Sequence, residues 1–580
     1  MHDLVIRRGT LVDGTGEPRR LADVAIDDGV ITGVGSVDGR GRREIDADGL
    51  LVTPGWVDIH THYDGQATWD PLITPSSLHG VTSVVMGNCG VGFAPARSGA
   101  SDHDALIALM EGVEDIPGAA LSEGITWEWE SIPEYLDALE RRPHAVDLGA
   151  QVPHAALRAY VMGERGADHT AEPSGREIAD MARLVAEGLA AGALGFASSR
   201  TLNHRSRDGR RIGTLTAGEA ELVGIAEALG FADTGVLQFV SDFGDVDAEL
   251  GLLRRVAERA GRPLSVSLVQ VDHQPERWRE VLAHIERANA EGVDIKAQVA
   301  VRTVGLLIGL HGSMHPFVKT PSYAPLADLP VDEQARRMRD PELRRRLLAE
   351  AGDVRGGLFE YVARRMDKIF PLGDPPDYEP PAERSIAARA ARTGRSPLEE
   401  LYDVLVDGAG SDLLYCPAGN YAGYDLEVVR EMALSPFTLS GLSDGGAHCA
   451  FICDASFPTF ALAHWCRDRT RGPQLPLEHM VRRQTADTAR HVGWHDRGVV
   501  APGYLADLNV IDLDALALAP PRMVHDLPAD GRRLMQGASG YRATIKSGVV
   551  TFEDGVHTDE LPGTLVRGAR PAPVAATAAR

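Results

Sequence analysis

Eight short apolar runs, several of them separated by stretches of helical periodicity, constrain this 580-residue chain more than any other feature. They lie at 56–60, 81–86, 146–151, 193–197, 236–240, 264–269, 293–299 and 438–443, and helical patterns at 174–191, 217–228 and 247–260 stand between several of them. Strands apolar on both faces need cover on both sides, and strand–helix alternation supplies it through parallel crossovers. Eight such units predict an α/β chain built on a (β/α)8 TIM-like barrel.

The segment 313–393 breaks the alternation. It is rich in charge and proline and reads as an insertion over the barrel mouth. The first fifty residues read as short strands punctuated by Asp13-Gly14 and Asp27-Asp28-Gly29, and the far end has the same texture around 506–552. Neither end is large enough to bury a core alone, so both are expected to join in one small β-sandwich. The expected division is 1–54 and 497–567 for the sandwich, 55–496 for the barrel with its insertion, and a disordered tail at 568–580, rich in Ala, Pro and Arg.

A net charge of -24 disfavours nucleic acid and an anionic membrane surface as partners. Five cysteines are too few, and odd in number, for a disulfide framework; a reducing cytoplasm is expected. The start has no basic region followed by a long apolar stretch, so neither a signal peptide nor a membrane anchor is read there.

The chemistry concentrates where these strands end. The first run finishes in His60-Thr61-His62. Side chains at i and i+2 leave a strand on the same side, and two imidazoles so placed at a barrel mouth can hold one divalent metal. Ser443-Asp444-Gly445-Gly446 closes the eighth run. A carboxylate there can serve as metal ligand and as general base, although Asp-Gly is also a common turn. Cys89, after the second run, is a ligand or a packing residue with equal weight. His154 follows the third run and His448 lies four residues past Asp444; both are candidates for contact with substrate. Cys449 and Cys453 read as packing residues, and Arg467, Arg469 and Arg471 as a solvated run from which one could reach a carboxylate.

With these pieces placed, the chain resembles the amidohydrolase superfamily and, within it, the D-aminoacylase (N-acyl-D-amino-acid deacylase) group. The resemblance rests on Asp3-Leu4-Val5-Ile6-Arg7 with Asp13-Gly14-Thr15-Gly16, on Pro54-Gly55-Trp56-Val57-Asp58-Ile59-His60-Thr61-His62, and on Gly80 to Gly90 ending in Asn88-Cys89-Gly90. It continues through His154 with Val161-Met162-Gly163, Gly192-Ala193-Leu194-Gly195-Phe196, Ser443-Asp444-Gly445, and Arg497 to Leu508. It implies His60 and His62 as ligands of one metal position, Cys89 as the zinc-holding cysteine and Asp444 as the catalytic aspartate. The family also places histidine ligands at the ends of strands five and six. Here those strands carry Gln238, Ser265, Ser267 and Gln270, and His273 comes three residues past Gln270. One divalent metal per chain, zinc by preference, is therefore expected. The reading is a metal-dependent hydrolase that cleaves the C–N amide bond of an N-acyl amino acid, a small-molecule amide substrate. The alternatives are a cyclic-amide or lactone hydrolase, and a silent relative that binds a ligand.

Overall fold

The computed structural model describes residues 1–312, 314–351 and 357–574. All eight expected core strands are present: Trp56–Asp58, Val81–Met86, Asp147–Ala150, Gly195–Arg200, Val236–Ser241, Leu264–Ser267, Ile295–Val299 and Thr438–Ser440. Every pairing among them is parallel. The first three form one arc, and the remaining five form a second with the two-residue strand Val152–Pro153 at its edge. The arcs do not merge into one continuous closed sheet. Among the described residues they meet at a parallel bridge, Thr61 to Gly445, between the exits of the first and eighth strands, and where the Leu194 amide donates to the Ala150 carbonyl at 2.8 Å.

The helices between the strands form for local reasons. Gly175–Ala190 starts on a capping box, with Ser174 accepting from the Glu177 amide while the Glu177 carboxylate accepts from the Ser174 amide. Its Met181, Leu184, Val185 and Leu189 share one face and are buried. Val246–Ala260 is capped by Asp245 and ends on Gly261 at φ 59°, the left-handed stop that glycine permits without strain.

The two chain ends build one nine-stranded sheet. Leu508–Ile511 runs antiparallel to Leu51–Pro54, with Val510 opposite Val52, and so joins the N-terminal strands to Tyr541–Lys546 and Val549–Glu553. Leu4, Ile6, Val24, Val52, Leu508, Val510, Ile545 and Val550 form its shared core. A buried ion cluster ties this sheet to the third core strand: Asp147 receives Arg497 at 2.6 Å and Lys546 at 3.0 Å.

Three expectations change. The insertion is wider than 313–393. Gly305–Ile308, Phe370–Pro371 and Leu414–Pro417 make a small sheet of their own, with a separate core that includes Leu306, Phe317, Tyr402 and Leu414. Ser313 itself lies outside the described residues. Second, the tail is ordered past 568. The Gly568 amide donates to the Gly192 carbonyl at 2.8 Å, and Arg570 bridges to Trp494; residues 575–580 lie outside the described residues. Third, the arginine run divides: Arg471 is exposed and Arg467 half-buried, while Arg469 is the member that reaches a carboxylate. The Arg469 side chain is fully buried and pairs with Glu379 at 3.1 Å, and Arg471 donates to the Glu379 carbonyl at 2.8 Å. Among the described residues no helix is long and apolar enough to cross a membrane.

Candidate metal centre

The sequence around His60 and His62 is folded so that both imidazoles leave the first core strand toward the exit of the eighth. The Asp444 amide donates to the His60 carbonyl at 3.1 Å, and the His62 amide donates to the Gly445 carbonyl at 2.8 Å. These two bonds bring Asp444 between the histidines. Its Oδ1 lies 3.4 Å from His60 Nε2 and 3.7 Å from His62 Nε2. Asp444 adopts φ 48° and His448 φ 53°, left-handed values that favour Asp over most residues. Gly446 follows at φ 91°, where a Cβ would sit 2.9 Å from the Tyr63 ring.

Cys89 arrives from the second strand through an equally tight turn. Gly87, Cys89 and Gly90 all have positive φ, and a Cβ on Gly87 would lie 2.4 Å from the Gln151 carbonyl oxygen. The Asn88 side chain holds the turn down by donating to the Val85 carbonyl at 2.9 Å and the Thr61 carbonyl at 3.2 Å. The thiol then lies 3.4 Å from His60 Nε2.

His60, His62 and Cys89 are buried, and each offers a ligand atom within 4.8 Å of the others. Ligand atoms sharing a tetrahedral zinc, at about 2.0 Å for nitrogen or oxygen and about 2.3 Å for sulfur, stand about 3.3–3.5 Å apart. The separations of His60 Nε2 from Cys89 and from Asp444 match that spacing. A second observation agrees: both ring nitrogens of His62 are buried without a hydrogen-bond partner, an unfavourable state for an imidazole unless something else binds it. His60 is pre-set for coordination. Its Nδ1 lies 2.6 Å from Gln298 Oε1, so Nδ1 carries the proton and Nε2 keeps its lone pair for the cluster. Gln298 is fixed in turn, donating to Ser265 Oγ at 2.9 Å. The residues fit a divalent metal.

The electrostatics follow from burial and crowding. Burial pushes the His60 imidazole down to about 4 and the Cys89 thiol up to about 12; the thiol must give up its proton to bind metal. Burial alone would raise Asp444, but His62, His60 and His448 outweigh it and hold the carboxylate well below its ordinary range.

The other expected residues divide. His448 joins the cluster, with Nε2 3.9 Å from Asp444 Oδ2. His154 is fully buried and both its ring nitrogens are occupied, Nδ1 by Ser198 Oγ at 2.8 Å and Nε2 by Glu221 at 3.0 Å. It leaves no polar edge for a ligand. On the fifth strand Gln238 Oε1 accepts the Cys89 amide at 3.0 Å, and His273 is exposed in the loop after the sixth.

Sequence reasoning missed three residues here. Gln298 had a signal: a polar residue on the buried parity of an apolar strand. His204 lies in a polar loop with no distinguishing pattern. Its Nδ1 is held by Ser199 Oγ at 2.7 Å, and burial, then His62 and His448, push its imidazole down to about 3. Glu114, at the end of the helix Ala100–Glu114, is buried with Oε1 3.4 Å from His62 Nδ1. Beside Asp444 lies a small cavity of ≈ 20 Å³, walled in part by Gly446, Cys449, Ile452 and Cys453.

The Amidohydrolase family model matches residues 43–552. The D-aminoacylase of Alcaligenes xylosoxydans xylosoxydans is 26% identical over 578 residues, covering 97% of each chain. The N-acyl-D-glutamate deacylase of the same organism is 28% identical over 526 residues, 89% of this chain and 88% of the relative. A solved D-aminoacylase structure, described for its binuclear metal centre with one-metal activation and second-metal attenuation, superposes with a TM-score of 0.65 at 25% identity, covering 98% of this chain and 100% of the other. With nearly its whole length matched and the metal-ligand cluster in place, this chain belongs to the amidohydrolase family.

Proposed function

We propose that this enzyme hydrolyses the amide bond of N-acyl amino acids, with the D-configured substrates of its relatives as the first class to test. The observation that carries this is the buried His60, His62 and Cys89 cluster with Asp444 against both imidazoles, in a chain that matches a D-aminoacylase end to end.

A bound divalent ion, zinc by preference, held by His60, His62, Cys89 and Asp444, supplies Lewis acidity for the acyl carbonyl and the attacking water. The chain's own groups do the rest. Asp444, ionised at neutral pH, accepts a proton from the water as it attacks and delivers it to the leaving nitrogen. Gln298 keeps His60 in the tautomer that turns Nε2 inward. His448 borders the reacting region and offers an imidazole edge to the substrate. One metal per chain is supported by the fifth and sixth core strands, Val236–Ser241 and Leu264–Ser267, which carry no histidine. The same reading takes the core strands as a (β/α)8 barrel, the terminal sheet as a β-sandwich, and 55–496 as the hydrolase domain.

The test is a hydrolysis screen of matched N-acyl-D- and N-acyl-L-amino acids with zinc-reconstituted and chelator-stripped protein, following the freed amine. Zinc-dependent release supports the proposal. Turnover confined to cyclic amides or lactones selects the alternative chemistry on the same site. Absence of turnover with every class, in a zinc-loaded sample, overturns the catalytic reading.

A further inference from the structure

Glu114 is a carboxylate in an unusual position. Its residue is 2% exposed, and its ion-pair partners among the described residues are two histidines, His62 at 3.4 Å and His448 at 3.7 Å. Neither contact neutralises it while the imidazoles are uncharged. Glu114 Oε1 and His62 Nδ1 are both buried without a hydrogen-bond partner, and they face each other. His62 Nε2 points the other way, toward Asp444 Oδ1, the oxygen that His60 Nε2 also faces. If Nε2 is the atom that binds metal, Nδ1 must carry a proton, and a buried N–H needs an acceptor. Glu114 Oε1 is placed to be that acceptor. The same residue also accepts the His448 amide at its main-chain carbonyl, so the helix Ala100–Glu114 is fastened to the loop after the eighth strand.

We propose that Glu114 is the positioning carboxylate of the metal centre, orienting His62 so that Nε2 faces the ion and supplying negative charge that a bound dication offsets. This rests on the metal reading above and adds a residue to it. A carboxylate behind a metal-binding imidazole fixes the ring and raises its basicity, and removing such a partner typically weakens metal affinity by about 10- to 100-fold. Glu114 and Gln298 then do parallel work, one behind each histidine, but Glu114 brings charge and Gln298 does not.

The test compares zinc affinity, by chelator competition, in wild type, E114Q and E114L, with thermal unfolding of the metal-free forms. The expected result is a loss of about 10- to 100-fold in E114L and a smaller loss of at least about fivefold in E114Q, which keeps an acceptor but no charge. Thermal unfolding of the metal-free forms establishes that each variant is folded before its zinc affinity is read. In an H62A background, E114L should weaken zinc binding no further, since it acts through His62. Zinc affinity within twofold of wild type in both variants, or an undiminished effect of E114L in H62A, overturns the proposal. If E114L fails to fold, E114Q and the pair H62A and H62A/E114Q decide by the same criteria. A wild-type chain that binds no zinc would instead defeat the metal reading itself.

Discussion

Replacing Asp444 by asparagine should abolish most turnover while leaving the fold unchanged. The backbone tolerates the change, because Asn accepts the left-handed φ of 48° as readily as Asp does. The side-chain shape is kept, but an amide cannot take a proton at neutral pH. Losing a general base costs about 10²–10⁴-fold in kcat. A second effect adds to this. Unit charges about 4 Å apart attract by about 4 kcal/mol at an effective dielectric of about 20. The carboxylate stands 3.4 and 3.7 Å from the two imidazoles proposed to bind metal, so its charge would also help retain the ion. Metal affinity should therefore fall as well, by up to about 10³-fold. The two effects separate if kcat is measured at saturating zinc with metal content determined in the same sample. A zinc-loaded D444N that keeps more than about half of wild-type kcat would refute the proton role, and another base would have to be found.

Three further outcomes are expected. Cobalt-substituted wild type should show a thiolate-to-metal charge-transfer band that is lost in C89A; a band that persists would return Cys89 to a packing role. D147N should lower stability by about 3–5 kcal/mol in urea denaturation, because Arg497 and Lys546 lose a shared partner at a site where all three side chains are at most 4% exposed; a change below about 1 kcal/mol would contradict it. Burial alone would raise Glu379, but His464, Arg469 and the Leu426 amide outweigh it and hold it at about 2 against an ordinary 4.5. A carboxylate lowered on folding stabilises above its unfolded value, so about 3 kcal/mol present at neutral pH should be lost between about pH 5 and pH 2. E379Q should flatten that limb of the stability profile, and an unchanged acid limb would refute the assignment.

How much of this was legible in the sequence depends on the range of the interaction. The eight core strands were visible because buried parallel strands are apolar throughout, and their boundaries shifted by only a few residues. His60 and His62 were legible because i and i+2 on a strand is a local geometric fact. Asp444 needed the expectation of a closing eighth strand. Glu114 left no trace: its role depends on a helix end meeting His62, fifty-two positions earlier, and no local pattern encodes that contact. His154 shows the reverse case. Its position after the third strand suggested substrate contact, while Ser198 and Glu221, both distant in sequence, take its nitrogens. Which member of the arginine run reaches a carboxylate was hidden for the same reason, since Glu379 lies ninety residues before Arg469.

The central claim is that a single ion in the His60, His62 and Cys89 cluster powers the reaction. Stripped protein titrated with zinc, while bound metal is counted and hydrolysis of an N-acyl amino acid followed in the same aliquots, tests it most directly. The expected result is no turnover without metal, activity rising in proportion to bound zinc, and a plateau at one equivalent per chain. Full activity in metal-free protein, or activity that begins only once a second equivalent is bound, would contradict it.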